Sequence, residues 1–427
     1  MDRRQFMRAG SAASMASLLA MSAGCAAPGR KAGGQVVVVG GGYAGATAAK
    51  YIRKWSDGQI AVTLVEPNEA FVSCPISNLV LSGVRQMADI TTPYDNLSAR
   101  HGVKQVRDSV GGIDLERRQV HLAGGDVLDY DRLILAPGID FMWDELPGMN
   151  NASAQEQVLH AWQAGPQTVA LRQQLEAMPD GGVYALAIPL APYRCPPGPY
   201  ERACQVAHYF KQAKPRSKVL VLDANEDVTS KGPLFKKAWA DRYAEIIEYR
   251  PEHRLVDVDV AGKTLKFDFA DDVRADVLNV LPPMYASSVV RDAGLATANA
   301  RWAEVDWLTM ESVAAPNVHV LGDAIQTAPL MPKSGHMANQ HGKTVAAAIV
   351  ALLSDQEPNP LPIYTNTCYS FVSDTDVIHV ASVHRYDDAE QTMLTVPGSG
   401  GVSSAANEME GKFAMMWARN IWADTLA

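Results

Sequence analysis

Four short runs of apolar, mostly β-branched residues punctuate the chain: Val36–Val39, Ile60–Val65, Val183–Ile188 and Lys218–Asp223. Apolar runs of this length without alternation predict strands covered on both faces, as in parallel sheets. Between and after them, Ala46–Trp55, Gln167–Glu176, Arg202–Gln212 and Ala338–Leu353 read as helices. Two more strand patterns, "YDRLILAPG" at 130–138 and "NVHVLGDA" at 317–324, lie far apart in sequence. The pattern predicts an α/β fold with two Rossmann-like dinucleotide-binding domains, the second degenerate, plus a C-terminal interface domain. The expected boundaries are 35–146 for the first domain's first part, 147–287 for the second domain, 288–358 for the return, and 359–427 for the C-terminal piece.

Length and charge narrow the partners. The 427 residues are 47% hydrophobic and 20% charged, with a formal net charge of −9. A deficit of Lys and Arg argues against nucleic acid as a partner. No apolar run in the body of the chain is long enough for a transmembrane segment. At the start, Arg3 and Arg4 precede Phe6 and Met7, and a small, uncharged run follows over Ser11–Ala23. Residues 1–27 therefore read as a twin-arginine signal peptide, which predicts a periplasmic protein. Cys25 after "SAG" half-resembles a lipoprotein cleavage box.

The glycines after the first strand carry the first chemistry. "QVVVVGGGYAG" sets Gly40, Gly42 and Gly45 in the G-x-G-x-x-G spacing between a strand and a helix. Gly40 makes the turn, Gly42 lets a pyrophosphate approach the backbone, and Gly45 lets helix and strand pack closely. The helix N-terminus favours the phosphates. Glu66, closing the second strand, is placed to accept hydrogen bonds from an adenosine ribose.

The second such strand, Val183–Ile188, ends differently. "YRCPPGPYERAC" carries Cys195 and three prolines where a second glycine loop would stand. Prolines stiffen the loop and remove N–H groups that would hold a phosphate, so NAD(P) binding is expected to be lost there. Arg194 beside Cys195 is expected to favour its thiolate. The five cysteines are Cys25, Cys74, Cys195, Cys204 and Cys368; none stands in a CxxCH or zinc-type spacing, so no metal site and no haem attachment is expected on this chain. Spacing leaves the pairing of the four mature cysteines open. Cys204 falls in a helix at core spacing and reads as structural. Glu201, just past the cysteine loop, is either a proton carrier or a solvated carboxylate at a helix start.

In "VVVGGGYAG", "FVSCPISN", "YRCPPGPYERA", "VHVLGDA" and "NTCYSFV" the chain resembles the flavoprotein subunits of flavocytochrome c sulfide dehydrogenases, kin of the sulfide:quinone oxidoreductases. The resemblance runs over essentially the whole mature chain. It implies FAD, with Asp323 on the ribityl chain and with Ala136, Gly138, Gly322 and Lys333 among the cofactor contacts. It implies covalent attachment of the flavin through Cys74, and a redox-active disulfide between Cys195 and Cys368. It implies oxidation of sulfide, with electrons passed to a c-type cytochrome, so that haem sits only on a partner chain. The alternatives are a quinone as acceptor, or a non-catalytic flavin-bearing sulfur carrier or assembly factor.

Two segments remain. In "EMEGKFAMMWARNIWADTLA", Phe413, Met416, Trp417 and Ile421 are expected to share a helical face, with Trp422 beside them, either capping the flavin or docking the cytochrome. The stretch 225–235, "NEDVTSKGPLF", is polar and reads as an exposed loop without a function.

Overall fold

The computed structural model describes residues 33–427; the stretch 1–27 expected to be a signal peptide, and Cys25 within it, lie outside the described residues. The first segment contributes β1 (Gly34–Val39), α1 (Tyr43–Trp55), β2 (Ile60–Val65), β3 (Lys104–Val106) and β4 (Arg132–Leu135). The insert contributes α2 (Pro166–Ala177), β5 (Val183–Ile188), α3 (Gly198–Ala213), β6 (Lys218–Asp223), α4 (Gly232–Tyr243), β7 (Ile247–Arg250) and β8 (Val277–Val280). The chain then returns with β9 (Val318–Val320) and α5 (Gly335–Leu352). It ends in β10 (Ile363–Phe371), β11 (Val377–Asp387), β12 (Thr392–Thr395) and α6 (Glu408–Leu426).

The first sheet has the order β9–β4–β1–β2–β3, all parallel. Its β1 residues Val36, Val37 and Val38 are fully buried, as apolar runs between two helical layers require. The chain crosses sides beside β1, and the crevice at the strand ends there is where such sheets bind ligands. The second sheet, β7–β6–β5–β8, is also parallel. The third, led by the β10–β11 hairpin, is antiparallel.

Small residues set the distance between α5 and α1. A Cβ on Gly342 would stand 2.5 Å from the Ala44 carbonyl oxygen, so glycine permits the contact. Polar side chains then tie α6 onto both helices. Asn339 Nδ2 donates to Thr47 Oγ1 at 3.0 Å and to Asp424 Oδ2 at 2.8 Å. Lys50 caps the end of α6, its Nζ bonding the carbonyls of Ala423 and Asp424 at 2.9 Å. Trp422 Nε1 donates to the Tyr43 hydroxyl at 3.0 Å. The C-terminal layer is thereby held against the helix that follows the glycine turn.

The expected apolar face of α6 divides. Ile421 is buried, whereas Phe413 and Met416 are exposed, because α6 turns Gly411, Ala414 and Ala418 inward instead. Phe413, Met416 and Trp417 line a cleft of about 410 Å³ together with His336, Tyr369 and Lys343. Among the described residues no helix is long and apolar enough to cross a membrane.

Candidate functional site

The glycine turn has the form its spacing predicts. Gly40 adopts φ +97°, and a Cβ there would meet the Ala136 carbonyl oxygen at 2.4 Å. A Cβ on Gly45 would fall 1.9 Å from the Gly40 carbonyl oxygen. Gly42 differs: a Cβ there meets nothing within 4 Å, and the same holds for Gly138, at φ +78°. The first pair is glycine because the chain packs on itself. At the second pair the chain leaves open space. Gly322, at φ +74°, closes the cradle from β9 against Ala44. Glu66 Oε2 accepts from Gly41 N at 2.7 Å, which fixes the acid at the rim of the turn.

In the second sheet the corresponding acid is spent internally. Asp223, closing β6, is buried. Its Oδ2 accepts from the hydroxyls of Tyr200 at 2.7 Å and Tyr249 at 3.1 Å, and its Oδ1 from Asn225 Nδ2 at 2.7 Å. The Asp223 carboxylate is thus engaged by the protein's own hydroxyls and amide rather than free for a ribose.

That loop instead delivers Cys195. The residue sits at φ +55°, a left-handed conformation costing a side-chain-bearing residue roughly 1–2 kcal/mol. It is pinned by its N–H on the Lys333 carbonyl at 2.8 Å and by its own carbonyl, which accepts from Gly198 N at 2.8 Å. A Cβ on Gly198 would stand 2.9 Å from Cys195 Sγ and 2.6 Å from the Trp162 ring. The first residue of α3 is therefore glycine where the helix meets sulfur and indole.

Cys368, on β10, comes close enough that its charge is the largest electrostatic influence on Cys195. Among the described residues Cys74, Cys195, Cys204 and Cys368 are all free. Burial pushes the Cys195 and Cys368 thiols up. Arg194 does favour the Cys195 thiolate, as expected, but desolvation outweighs it. The guanidinium is also directed elsewhere: Nη2 donates to Cys74 Sγ at 3.1 Å and to the Trp162 carbonyl, and Nη1 lies 3.8 Å from Asp323 Oδ2.

Glu201 is not solvated. It is buried on α3, with Oε2 accepting from Asn78 Nδ2 at 2.8 Å and Oε1 from Phe371 N at 2.8 Å. Burial raises its pKa, although both hydrogen bonds and the Lys231 charge oppose this. Lys333 is buried too, its ammonium on the Asp323 and Ile325 carbonyls and 3.7 Å from the Trp302 ring centroid. Desolvation lowers it to about 7. Cys204 is fully buried and accepts from Trp239 Nε1 at 3.2 Å, a packing role.

Sequence reasoning missed Lys231. The stretch 225–235 is not simply exposed: Lys231 is buried, with Nζ bonding the Cys368 carbonyl at 3.0 Å and Ser370 Oγ at 2.7 Å. Asn366 and Trp162 were missed as well. Asn366 Nδ2 donates to Cys368 Sγ at 3.4 Å. No local pattern marks Lys231 or Trp162; for Asn366 the available signal is the Asn-x-Cys spacing, which puts both residues on one face of a strand.

The residues fit a flavin dinucleotide. Asp323 Oδ1 and Trp162 Nε1 are buried without a hydrogen-bond partner among the described residues. Such groups are costly unless something bonds them. Asp323 lies where the resemblance puts the ribityl chain, and the open faces of Gly42 and Gly138 leave the space a pyrophosphate needs. Among the described residues no cluster of His, Cys, Asp and Glu is suited to a metal.

Comparison with known proteins gives the following. Residues 168–282 match the model of the central part of the sulfide dehydrogenase [flavocytochrome c] flavoprotein chain. Residues 360–426 match the flavin-binding model of flavocytochrome c sulphide dehydrogenase, and 34–178 that of pyridine nucleotide-disulphide oxidoreductases. Over 46 residues the chain is 65% identical to the sulfide dehydrogenase [flavocytochrome c] flavoprotein chain of Chlorobaculum thiosulfatiphilum, covering 11% of this chain and 94% of that sequence. It is 25% identical over 303 residues to the mitochondrial sulfide:quinone oxidoreductase of Dictyostelium discoideum, covering 68% of this chain and 65% of that protein. The chain thus spans a little under two thirds of that relative's length. The structure of the sulfide:quinone oxidoreductase from Aquifex aeolicus superposes with a TM-score of 0.73 at 17% identity, covering 92% of this chain and 91% of that one. This last likeness shows the shared fold.

Proposed function

Since the chain belongs to the flavocytochrome c sulfide dehydrogenase flavoprotein family, we propose that it oxidises sulfide to sulfur or polysulfide at Cys195 and Cys368. The electrons then pass through FAD to a c-type cytochrome on a separate chain. The observation that carries this is that Cys195, in the loop after β5, and Cys368, on β10, act electrostatically on each other, while buried Glu201 accepts from the Phe371 amide of β10 and Lys231 bonds the Cys368 carbonyl.

In the oxidised enzyme the two sulfurs form a disulfide. HS⁻ attacks Cys195 Sγ as a thiolate attacks a disulfide. The S–S bond breaks, a persulfide stays on Cys195, and Cys368 leaves as thiolate. A second thiol or sulfide removes the outer sulfur. Glu201, whose pKa burial raises, is the candidate carrier of the proton between the sulfur groups. Removal of the outer sulfur leaves Cys195 a thiolate; re-forming the Cys195–Cys368 bond from the two thiolates releases an electron pair, which FAD held in the cradle would accept and release singly.

Gly40, Gly42, Gly45, Glu66, Ala136, Gly138, Gly322 and Asp323 would hold the cofactor, with Lys333 behind Asp323. Cys74 is the proposed covalent anchor. Its sulfur accepts from Arg194 Nη2 at 3.1 Å and from Ala164 N at 3.5 Å, donors that fix its position. The twin-arginine pattern supports a periplasmic site of action.

A second reading takes a quinone as acceptor. The aromatic wall of the cleft, Tyr369, Phe413 and Trp417, favours it, since such a wall suits a quinone ring, with Asn339, Gln340, Lys343, Asn420 and Asp424 making the rest of the lining polar. Anaerobic sulfide titration decides between these and a non-catalytic carrier. Bleaching of the flavin absorbance, reversed by c-type cytochrome, supports the proposal. Reversal by a short-chain quinone alone supports the second reading. Absence of bleaching leaves only the carrier.

A further inference from the structure

Lys231 immediately precedes α4, with its backbone at φ +57°. Its side chain leaves the second sheet's layer and reaches the β10–β11 hairpin. There Nζ bonds the Cys368 carbonyl at 3.0 Å, Ser370 Oγ at 2.7 Å and the Ile378 carbonyl at 3.4 Å. All three acceptors are neutral. An ammonium buried among neutral oxygens lacks the counter-charge that normally offsets its desolvation.

The groups whose charge it feels are Cys368 on β10, Glu201 on α3, Cys195 in the loop before α3, and Glu410 on α6. The Phe235 ring, 5.6 Å away, completes the surroundings. Each of the four is anionic only when ionised, and Cys368 has the largest effect. In turn, Lys231 is the strongest influence favouring a Cys368 thiolate, followed by hydrogen bonds from Asn366 and Ser334. Cys195 gains less: Arg194 and then Lys231 also favour its thiolate, but both rank behind the opposing charges of Cys368 and Glu201, and the Arg194 guanidinium is shared with Cys74, Asp323 and the Trp162 carbonyl.

We propose that Lys231 is a positioning residue that makes Cys368 the leaving thiolate when sulfide opens the Cys195–Cys368 disulfide. This rests on the sulfide-oxidising reading above. HS⁻ bonds to Cys195 Sγ, the S–S bond breaks, and its electron pair goes to Cys368 Sγ. The proton of HS⁻ stays on the persulfide, so one negative charge moves from sulfide to Cys368, beside the ammonium. In thiol–disulfide exchange the sulfur with the better-stabilised thiolate leaves faster. The asymmetry of positive charge thus selects which sulfur is attacked. Burial lowers Lys231 to about 8, and the Cys368 charge is the largest influence opposing that drop.

The test uses the flavin-loaded, dithiol-reduced full chain, alkylated briefly with iodoacetamide across a pH series. Peptide mass mapping then reads Cys195 and Cys368 separately. In the wild type Cys368 is labelled faster than Cys195 at neutral pH. Lys231→Gln slows Cys368 by about tenfold or more, the effect of one pKa unit on the thiolate fraction. It also moves the pH midpoint upward, and Lys231→Arg restores most of the rate. Faster labelling of Cys195 in the wild type overturns the proposal, as does unchanged labelling of Cys368 in Lys231→Gln. If the glutamine variant does not fold, the wild-type ratio and the arginine variant decide. Failure of the functional reading is seen separately, as absence of sulfide bleaching in the wild type, which the labelling does not report.

Discussion

Arg194 donates a hydrogen bond to the sulfur of Cys74 at 3.1 Å, across a sequence separation of 120 residues. The same guanidinium lies 3.8 Å from Asp323. One cation thus links the loop after β2, the cysteine loop after β5 and the acid after β9. If Cys74 anchors the flavin, acid precipitation of the wild type leaves the yellow colour in the pellet. Cys74→Ala releases it to the supernatant, and Arg194→Gln lowers the bound fraction. Release from the wild type would rule out the linkage.

Cys195→Ser keeps the flavin but loses its reduction by sulfide. The hydroxyl cannot form the disulfide that HS⁻ attacks, while the cofactor cradle lies on other elements. Anaerobic absorbance spectra check both halves. Normal bleaching in this variant would refute attack at Cys195.

The glycines of the turn should separate into two kinds. Gly45→Ala forces a Cβ to within 1.9 Å of the Gly40 carbonyl oxygen, and overpacking of this sort costs about 1–3 kcal/mol or more. Urea unfolding should register that loss. Gly42→Ala meets nothing within 4 Å and has ordinary helix-start angles, φ −70° and ψ −169°. Its apoprotein should unfold at the wild-type midpoint, yet flavin content should fall because the added methyl occupies the pyrophosphate's approach. Equal flavin content in Gly42→Ala would contradict the cradle.

Lys333 gives stability a pH dependence. Its pKa falls from the ordinary 10.5 to about 7 on folding. A group depressed in the folded state contributes stability that is complete above its unfolded pKa and lost as pH falls through its folded one. The wild type should therefore gain stability relative to Lys333→Met between pH 7 and 10.5, on the order of a few kcal/mol. Denaturant midpoints of both proteins across that window measure it. A constant difference would show that the folded lysine keeps its ordinary pKa.

Much of the scaffold was legible because its signals are local. Ile60–Val65, Val183–Ile188 and Lys218–Asp223 are strands with the ends read from their apolar runs, since a run flanked by polar residues has one way to bury itself. The α6 face was misjudged because its register against the rest of the protein decides which residues turn inward. Helical period alone leaves Phe413 and Gly411 as equal contenders for that side.

By itself the amino-acid order determined the parallel strands, the glycine turn with its acid, and the replacement of a second glycine loop by a cysteine between prolines. These depend on backbone freedom and neighbouring side chains, which act over a few residues. Only the tertiary structure decided where charge sits around the sulfurs. It turned Arg194 from Cys195 toward Cys74 and Asp323, buried Glu201 between Asn78 and the Phe371 amide, and carried Lys231 to the Cys368 carbonyl. Desolvation and Coulomb forces depend on distances through space, and chain order does not encode those until the layers have packed.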